Sequence, residues 1–152
     1  MRIYSVSMNN VAVTGAITLV QLKAGTASIL RILRAWVSQS NLTSSAEQRV
    51  QILRKSGAAT VTSFTPLLVD PGDAASNMVS STSGTGTNAS AEGTDGDILV
   101  ADNFNVLTGW LWIPTPEERI IIPPSGILGL KLPTAPASSM TTSAGFLVGE
   151  EG

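Results

Sequence analysis

The chain has 152 residues, which is enough for one domain with a real core and too few to divide comfortably into two. Only 13% of the residues are charged and the net charge is −2, so Ser, Thr, Asn and Gly must cover the surface, and the basic patch of a nucleic-acid-binding protein is not expected. Cysteine and histidine are both absent, which excludes disulfides, thiolate chemistry, Cys-based zinc sites and every Ser-His-Asp triad.

The low charge and the hydropathy pattern also indicate where the protein works. Weak self-repulsion favours packing against other copies or another protein, as in an assembly component. No run approaches the roughly 20 apolar residues that a membrane span needs. Met1 and Arg2 lead directly into an alternating segment instead of a signal peptide. We therefore expect synthesis in the cytosol and no membrane anchor.

The first predicted elements are strands. Residues 1–10 alternate in polarity, which predicts an N-terminal strand or arm with Tyr4, Val6 and Met8 on one buried face. The β-branched run "AITLVQLKAG" predicts a second strand that ends in a turn at Gly25. The next run, "SILRILRAWVSQ", fits a helical stripe and a strand face equally well, so its pattern leaves the element type open.

Two clearer segments follow. "EQRVQILRKSG" predicts a strand with Val50 and Ile52 on one face and polar side chains on the other. After a further strand, "DPGD" predicts a turn. Residues 74–96 contain no aromatic residue and are dominated by Ser, Thr, Gly and Ala. Because this segment buries too little apolar surface to offset its ordering entropy, we expect a long surface loop, extended or mobile.

The C-terminal part predicts more strands and completes the fold class. "DILVADNFNVLTGWLWI", "RIIIPPSGILGLKL" and "MTTSAGFLVGEEG" are apolar runs separated by turn residues, and no segment is a confident helix. Together with the N-terminal part this gives about eight short antiparallel strands, as in an all-β jelly roll or β-sandwich. Neither flank of the long Ser/Thr/Gly-rich loop can close a core alone, so residues 1–152 are predicted to form one domain.

The charged cluster in "PTPEER" is the first candidate site. Glu117 and Glu118 could divide acid and base roles, but consecutive strand residues point to opposite faces, which suits a shared substrate poorly. The flanking prolines mark a bend, and Arg119 can hold a carboxylate across the corner or across a subunit boundary. We therefore predict a structural corner or contact point here, and not a reaction centre.

The other candidates also favour structural explanations. The aspartates match no calcium-binding loop, and "SGTGT" lacks the lysine of a phosphate loop. Trp110 and Trp112 could stack on sugars, but with so few aromatic residues the core or a subunit interface needs them more. We accordingly predict that the protein is not an enzyme and has no catalytic residue, no metal site and no cofactor.

Four stretches together resemble a group of small virion proteins of tailed bacteriophages. They are "LRILRAWVSQSNLTSSAEQRVQILRKSG", the Ser/Thr/Gly-rich loop, "GWLWIPTPEERIIIPPSGILGLKL" and "FLVGEEG". The arrangement, which covers roughly two-thirds of the chain, looks most like small jelly-roll capsid decoration (cement) proteins, which lie on the exterior of the head, commonly as trimers. The resemblance implies that "SILRILRAWVSQ" is a strand and that "PTPEER" lies at a strand-to-strand corner. It also implies assembly in the host cytoplasm and binding to the major capsid protein, with no nucleic-acid or membrane partner.

Under this resemblance, two regions are expected to make the contacts. The N-terminal strand, with Tyr4 and Val6, could pair with the sheet edge of a neighbouring molecule. The second region comprises Trp110, Trp112, Ile113, Glu117, Glu118 and Arg119. The alternative from a different class is a tail- or fibre-associated receptor-binding β module, which would expose its aromatic residues and bind glycans with the long loop. A carboxylate-based hydrolase ranks third.

Overall fold

The computed structural model describes residues 1–152 and places them in two antiparallel β-sheets that pack into a β-sandwich. Strands contain 58% of the residues, and the one helical element is a single 3-10 turn at Pro116–Glu118, so the all-β prediction is confirmed. The strands are β1 (Arg2–Val13), β2 (Thr18–Lys23), β3 (Ile29–Gln39), β4 (Glu47–Gly57), β5 (Thr60–Ser63), β6 (Leu67–Leu68), β7 (Gly86–Ala91), β8 (Thr94–Asn105), β9 (Trp110–Trp112), β10 (Ile121–Ile122), β11 (Ile127–Lys131) and β12 (Met140–Glu151).

The strand order explains where the core lies. Sheet A has the order β10-β3-β12-β1-β6, with β9 also paired to β3, and sheet B has the order β5-β7-β2-β11-β4-β8. The core draws on strands of both sheets. Tyr4, Val6 and Met8 of β1 are buried, and so are Val50 and Ile52 of β4, as the alternation predicts for strands with one inward face.

A β-bulge in β3 explains why its sequence fits two element types. Leu30 and Ile32 are buried before the bulge, and Ala35 and Val37 are buried after it. The register with β12 shifts between these pairs and leaves Leu33 without a partner. One extra residue moves the inward positions from even to odd numbers, which breaks the period of two. β3 is a strand, as the resemblance implies.

The prediction of a loop for residues 74–96 is wrong in its second half. Gly86–Ala91 forms β7, which pairs with β2 and β5, and β8 begins at Thr94. The small side chains are what make this pairing feasible, because a Cβ at Gly86 would collide with the backbone of β5 at Thr62. A segment whose composition predicts little burial therefore forms a strand that packs closely against its neighbour.

The first half of residues 74–96 is held by the buried carboxylate of Glu150, which lies near the C-terminal end of β12. The side chain of Glu150 is fully buried, and its carboxylate accepts hydrogen bonds from Ser76 Oγ at 2.6 Å and from the backbone N–H of Asn77 at 3.1 Å. Arg2 Nη2 pairs with the same carboxylate at 3.0 Å. Charge-assisted hydrogen bonds of this kind are the strong ones, so Glu150 fastens residues 76–77 to the β1–β12 pair.

Candidate interaction surfaces

The segment "GWLWIPTPEERIII" forms one edge of sheet A. β9 pairs with residues 35–37 of β3, and β10 pairs with residues 30–31 of the same strand. The 3-10 turn at Pro116–Glu118 makes the corner between them. The corner that the resemblance implies for "PTPEER" is therefore present. We call residues 110–122 the proline-rich edge.

Side chains on β9 divide between the core and the surface. Trp110 is buried and its indole N–H donates a hydrogen bond to Asp102 at 3.0 Å, while Trp112 packs against the core and is half-buried. Leu111 and Ile113 are 60% and 64% exposed. Because β9 alternates, the two tryptophans mainly fill the core, and the apolar surface of this edge is made by Leu111 and Ile113.

The charged residues at the corner do not converge on one point. The carboxylate of Glu118 folds back onto Thr115, accepting from its hydroxyl at 3.2 Å and its N–H at 3.4 Å, and so stabilises the turn. Glu117 is exposed. Arg119 is half-buried, forms no ion pair within the chain, and its Nε has no hydrogen-bond partner.

The other predicted contact region, the N-terminal strand, offers few side chains to a partner. Tyr4 and Val6 are fully buried, and the Tyr4 hydroxyl donates a hydrogen bond to the carbonyl of Ala74 at 2.7 Å. Burial, and then the negative charge of Glu150, raise the pKa of Tyr4 above its ordinary value. The side chains of Tyr4 and Val6 are thus unavailable for a contact between molecules.

Sequence reasoning missed the opposite edge of sheet A. Leu67, Leu68 and Val69 are consecutive and all exposed, with Leu67 at 57% and Val69 at 54%. β6 pairs with β1 at only two positions, so its outer side is open. The turn that follows carries Asp70 and Asp73, neither of which forms an ion pair. We call residues 67–73 the acidic edge; its sequence signal is an apolar triplet beside two aspartates.

β8 provides a third open edge. It is the outermost strand of sheet B, pairs only with β4, and most of its residues are exposed. Ile98 and Leu99 are both exposed, and Leu99 has no partner in β4 because the register shifts at this point. Three register shifts interrupt its pairing with β4, and such irregularities discourage uncontrolled strand addition at an edge.

The densest group of ionisable side chains lies around the short connection between β7 and β8. Lys55 is fully buried and its Nζ contacts Asp95 Oδ1 at 2.7 Å and the carbonyl of Glu92 at 2.8 Å. Lys131 Nζ lies 2.6 Å from Asp95 Oδ2 and 3.4 Å from Glu92 Oε1. The Glu92 carboxylate also accepts hydrogen bonds from the N–H and hydroxyl of Thr18. The network therefore ties the β7–β8 connection to β2, β4 and β11.

The network shifts the ionisation of two of its members in opposite directions. Partial burial by itself would raise the pKa of Asp95, but hydrogen bonds from Lys131 and Lys55 and their charges outweigh it and hold the pKa below its ordinary value. Burial by itself would lower the pKa of Lys131, but its contacts with Asp95 and Glu92 raise that pKa instead. Both shifts favour the ionised pair.

Comparisons of the chain with protein-family models, curated proteins and solved structures find no match. The structure contains no detectable cavity and no group of three or more His, Cys, Asp or Glu that could hold a metal ion. None of its helices has the length and hydropathy to span a membrane. The class that the structure defines is an all-β, two-sheet sandwich with most of its exposed large apolar residues along three strand edges.

Proposed function

We propose that this chain is a structural virion protein that decorates and stabilises a bacteriophage capsid, bridging neighbouring capsid subunits on the exterior of the head as a homotrimer. The observation that carries the proposal is the concentration of exposed apolar side chains on strand edges. Leu111 and Ile113 lie on one side of sheet A, Leu67 and Val69 lie on the other, and Ile98 lies on the edge of sheet B.

Open apolar edges favour a role in assembly. Proteins that function as free monomers usually shorten, charge or cover their edge strands, because an open edge invites pairing with other chains. Contiguous exposed apolar residues mark surfaces that bind other proteins. With only 13% charged residues, the chain also has little self-repulsion to overcome when copies pack side by side.

The sandwich presents these edges in a fixed arrangement. The Glu150 carboxylate fastens one long connection to sheet A, and the Lys55–Asp95 pair fastens the start of β8 to β4. Rigid surfaces lose less conformational entropy on binding than mobile ones. On a lattice with many identical contacts, modest affinities at each edge then add up to strong retention.

In this role the protein works mechanically. Each trimer would clamp neighbouring copies of the major capsid protein against the pressure of packaged DNA without touching the DNA. The net charge of −2 is consistent with a protein partner in place of nucleic acid.

Copy number in purified virions tests the proposal. Quantitative mass spectrometry against the major capsid protein should give a ratio near parity, because a decoration protein covers the lattice. A handful of copies per particle would contradict the capsid role and favour the tail or fibre module. Absence from the particle would overturn the virion role altogether.

A further inference from the structure

We propose that copies of this chain associate head to tail, with the acidic edge of sheet A (residues 67–73) in one copy contacting the proline-rich edge (residues 110–122) of the next. The inference rests on the proposed homotrimer and adds to it the two surfaces that join the subunits. It commits to a second copy of the same chain as the occupant of both edges.

The topology places these edges on different sides of one molecule. In sheet A, β6 lies beyond β1 at one end of the strand order, whereas β9 and β10 flank β3 at the other end. A contact between two different surfaces of identical chains is heterologous, and such contacts generate closed rings when the rotation between neighbours closes. A trimer built this way uses each edge once in every subunit.

Both edges carry the apolar surface that such a contact requires. Leu67 and Val69 on the acidic edge are 57% and 54% exposed, and Leu111 and Ile113 on the proline-rich edge are 60% and 64% exposed. These are among the most exposed large apolar side chains of the chain. Joining the edges removes both patches from water at the same time, which is the main favourable contribution to association.

The charges beside the two apolar patches have opposite signs and lack partners. Asp70 and Asp73 form no ion pair within the chain, and the same is true of Arg34, Arg54 and Arg119. Arginine is well suited to interfaces because its planar guanidinium can bind a carboxylate through two hydrogen bonds. The acidic edge therefore offers the anions that the arginines lack.

The unpaired arginines Arg34, Arg54 and Arg119 lie beside the proline-rich edge, which Arg54 reaches from β4 of sheet B. Arg34 in β3 is exposed and stacks over Trp36 at 4.9 Å, between the stretches of β3 that pair with β9 and β10. Arg54 Nη1 donates a hydrogen bond to the carbonyl of Ile121 in β10. Arg119 lies two residues before the start of β10 and keeps a buried Nε without an acceptor.

Charge also distinguishes the head-to-tail contact from a symmetric one. A two-fold contact of the acidic edge with itself would bring four aspartates together, and the equivalent contact of the other edge would oppose arginine with arginine. The proline-rich edge also carries Glu117 and Glu118, but Glu118 is engaged by Thr115. A contact of the proline-rich edge with itself would leave only the exposed Glu117 of each copy to face several arginines, so the contact between unlike edges matches more opposite charges.

Charge reversal on each edge, followed by their combination, tests the inference on the purified chain without capsids. Size-exclusion chromatography with light scattering should give a trimer for the wild type. The double variant Asp70→Arg, Asp73→Arg and the double variant Arg34→Glu, Arg119→Glu should each raise the trimer dissociation constant roughly 100-fold or more, because like charges then face each other. The quadruple variant, which restores opposite signs, should recover the trimer.

A matched control reverses two unpaired charges that lie away from both edges, Asp97→Arg on β8 and Arg49→Glu on β4, and should leave the trimer intact. Recovery in the quadruple variant excludes misfolding as the cause of the losses. A wild type that stays monomeric at millimolar concentration, or a trimer that survives both double variants, would overturn the inference. This experiment uses no virions. A trimer joined by these two edges would therefore be established even if the copy number in virions contradicts the capsid role.

Discussion

The ammonium group of Lys55 lies 2.7 Å from the carboxylate of Asp95, across 40 residues of sequence, and the lysine side chain is fully buried. Desolvating an ammonium group is costly, so its charge must be matched at short range. This contact holds the start of β8 against β4 and thereby positions the exposed edge of sheet B.

Removing the charge of Asp95 should destabilise the fold. Asp95→Asn leaves the Lys55 ammonium buried beside a neutral amide, and because the aspartate is partly exposed we expect a loss of about 1–3 kcal/mol, less than for a fully buried pair. Urea denaturation measures this. Asp97→Asn, an exposed residue of the same strand that forms no ion pair, is the control and should change stability by less than about 0.5 kcal/mol. Equal effects in the two variants would contradict the role of the network.

Acid should weaken the fold through the same carboxylate. The folded pKa of Asp95 is below its ordinary value, so its stabilising contribution is present above the unfolded pKa of about 3.9 and is lost as pH falls through the folded value. Denaturation midpoints should therefore decline below about pH 4. Asp95→Asn should flatten that part of the profile, and an unchanged acid slope in this variant would show that other groups are responsible.

Glu150→Gln should loosen the connection between β6 and β7. The buried carboxylate accepts from Ser76, Asn77 and Arg2, and a neutral amide leaves the arginine uncompensated, with an expected loss of about 2–4 kcal/mol. Hydrogen exchange at Asn77 and Met78 should accelerate. Glu151→Gln, which removes an exposed pair with Arg31, is the matched control and should cost less than about 0.5 kcal/mol. Unchanged hydrogen exchange at Asn77 and Met78 in Glu150→Gln would contradict the role of Glu150 in holding this connection.

The proline-rich edge should be required for capsid binding. The double variant Leu111→Ser, Ile113→Ser removes apolar surface from the proposed subunit contact, so it should disrupt the trimer and weaken multivalent binding to undecorated capsids at least about tenfold, while leaving the urea midpoint of the monomer unchanged. Trp112→Ala is a poorer test, because this side chain packs against the core and its loss also affects folding. Val79→Ser, an exposed apolar position outside the three edges, is the control in a capsid co-sedimentation assay. If the double variant binds capsids as tightly as the wild type does, the proline-rich edge is not required for capsid binding.

How far the sequence predicts this structure depends on how local each feature is. The alternation in β1 and β4 identifies inward faces because one face of each strand is in the core. The bulge at Leu33 hides the same period in β3. The alternation in "WLW" implies that Leu111 and the tryptophans point to opposite faces of the strand. The high density of apolar residues in this segment, taken alone, does not separate the inward side chains from the outward ones.

Other features depend on contacts that are distant in sequence. The Lys55–Asp95 pair exists only once β4 and β8 adopt their register, and no local pattern shows it. Strand β7 was not predicted because its Gly, Ser, Thr and Ala residues are also typical of loops. In the fold, these small side chains allow β7 to pack closely against its neighbours, a role that composition alone does not show. The burial of Tyr4 and Val6 followed from the alternation, and it is this burial that removes their side chains from the contact surface.

The pairing of β1 with β12, from Arg2 opposite Glu150 to Val13 opposite Met140, has a consequence for biosynthesis. β1 must wait, unpaired, until residues 140–151 have been made. The closure of sheet A therefore joins segments that are far apart in the sequence. Topologies of this kind fold on the order of milliseconds to seconds. During that interval a newly made chain exposes an alternating strand that other nascent copies can capture, so a lower concentration of newly made chains should raise the yield of folded protein.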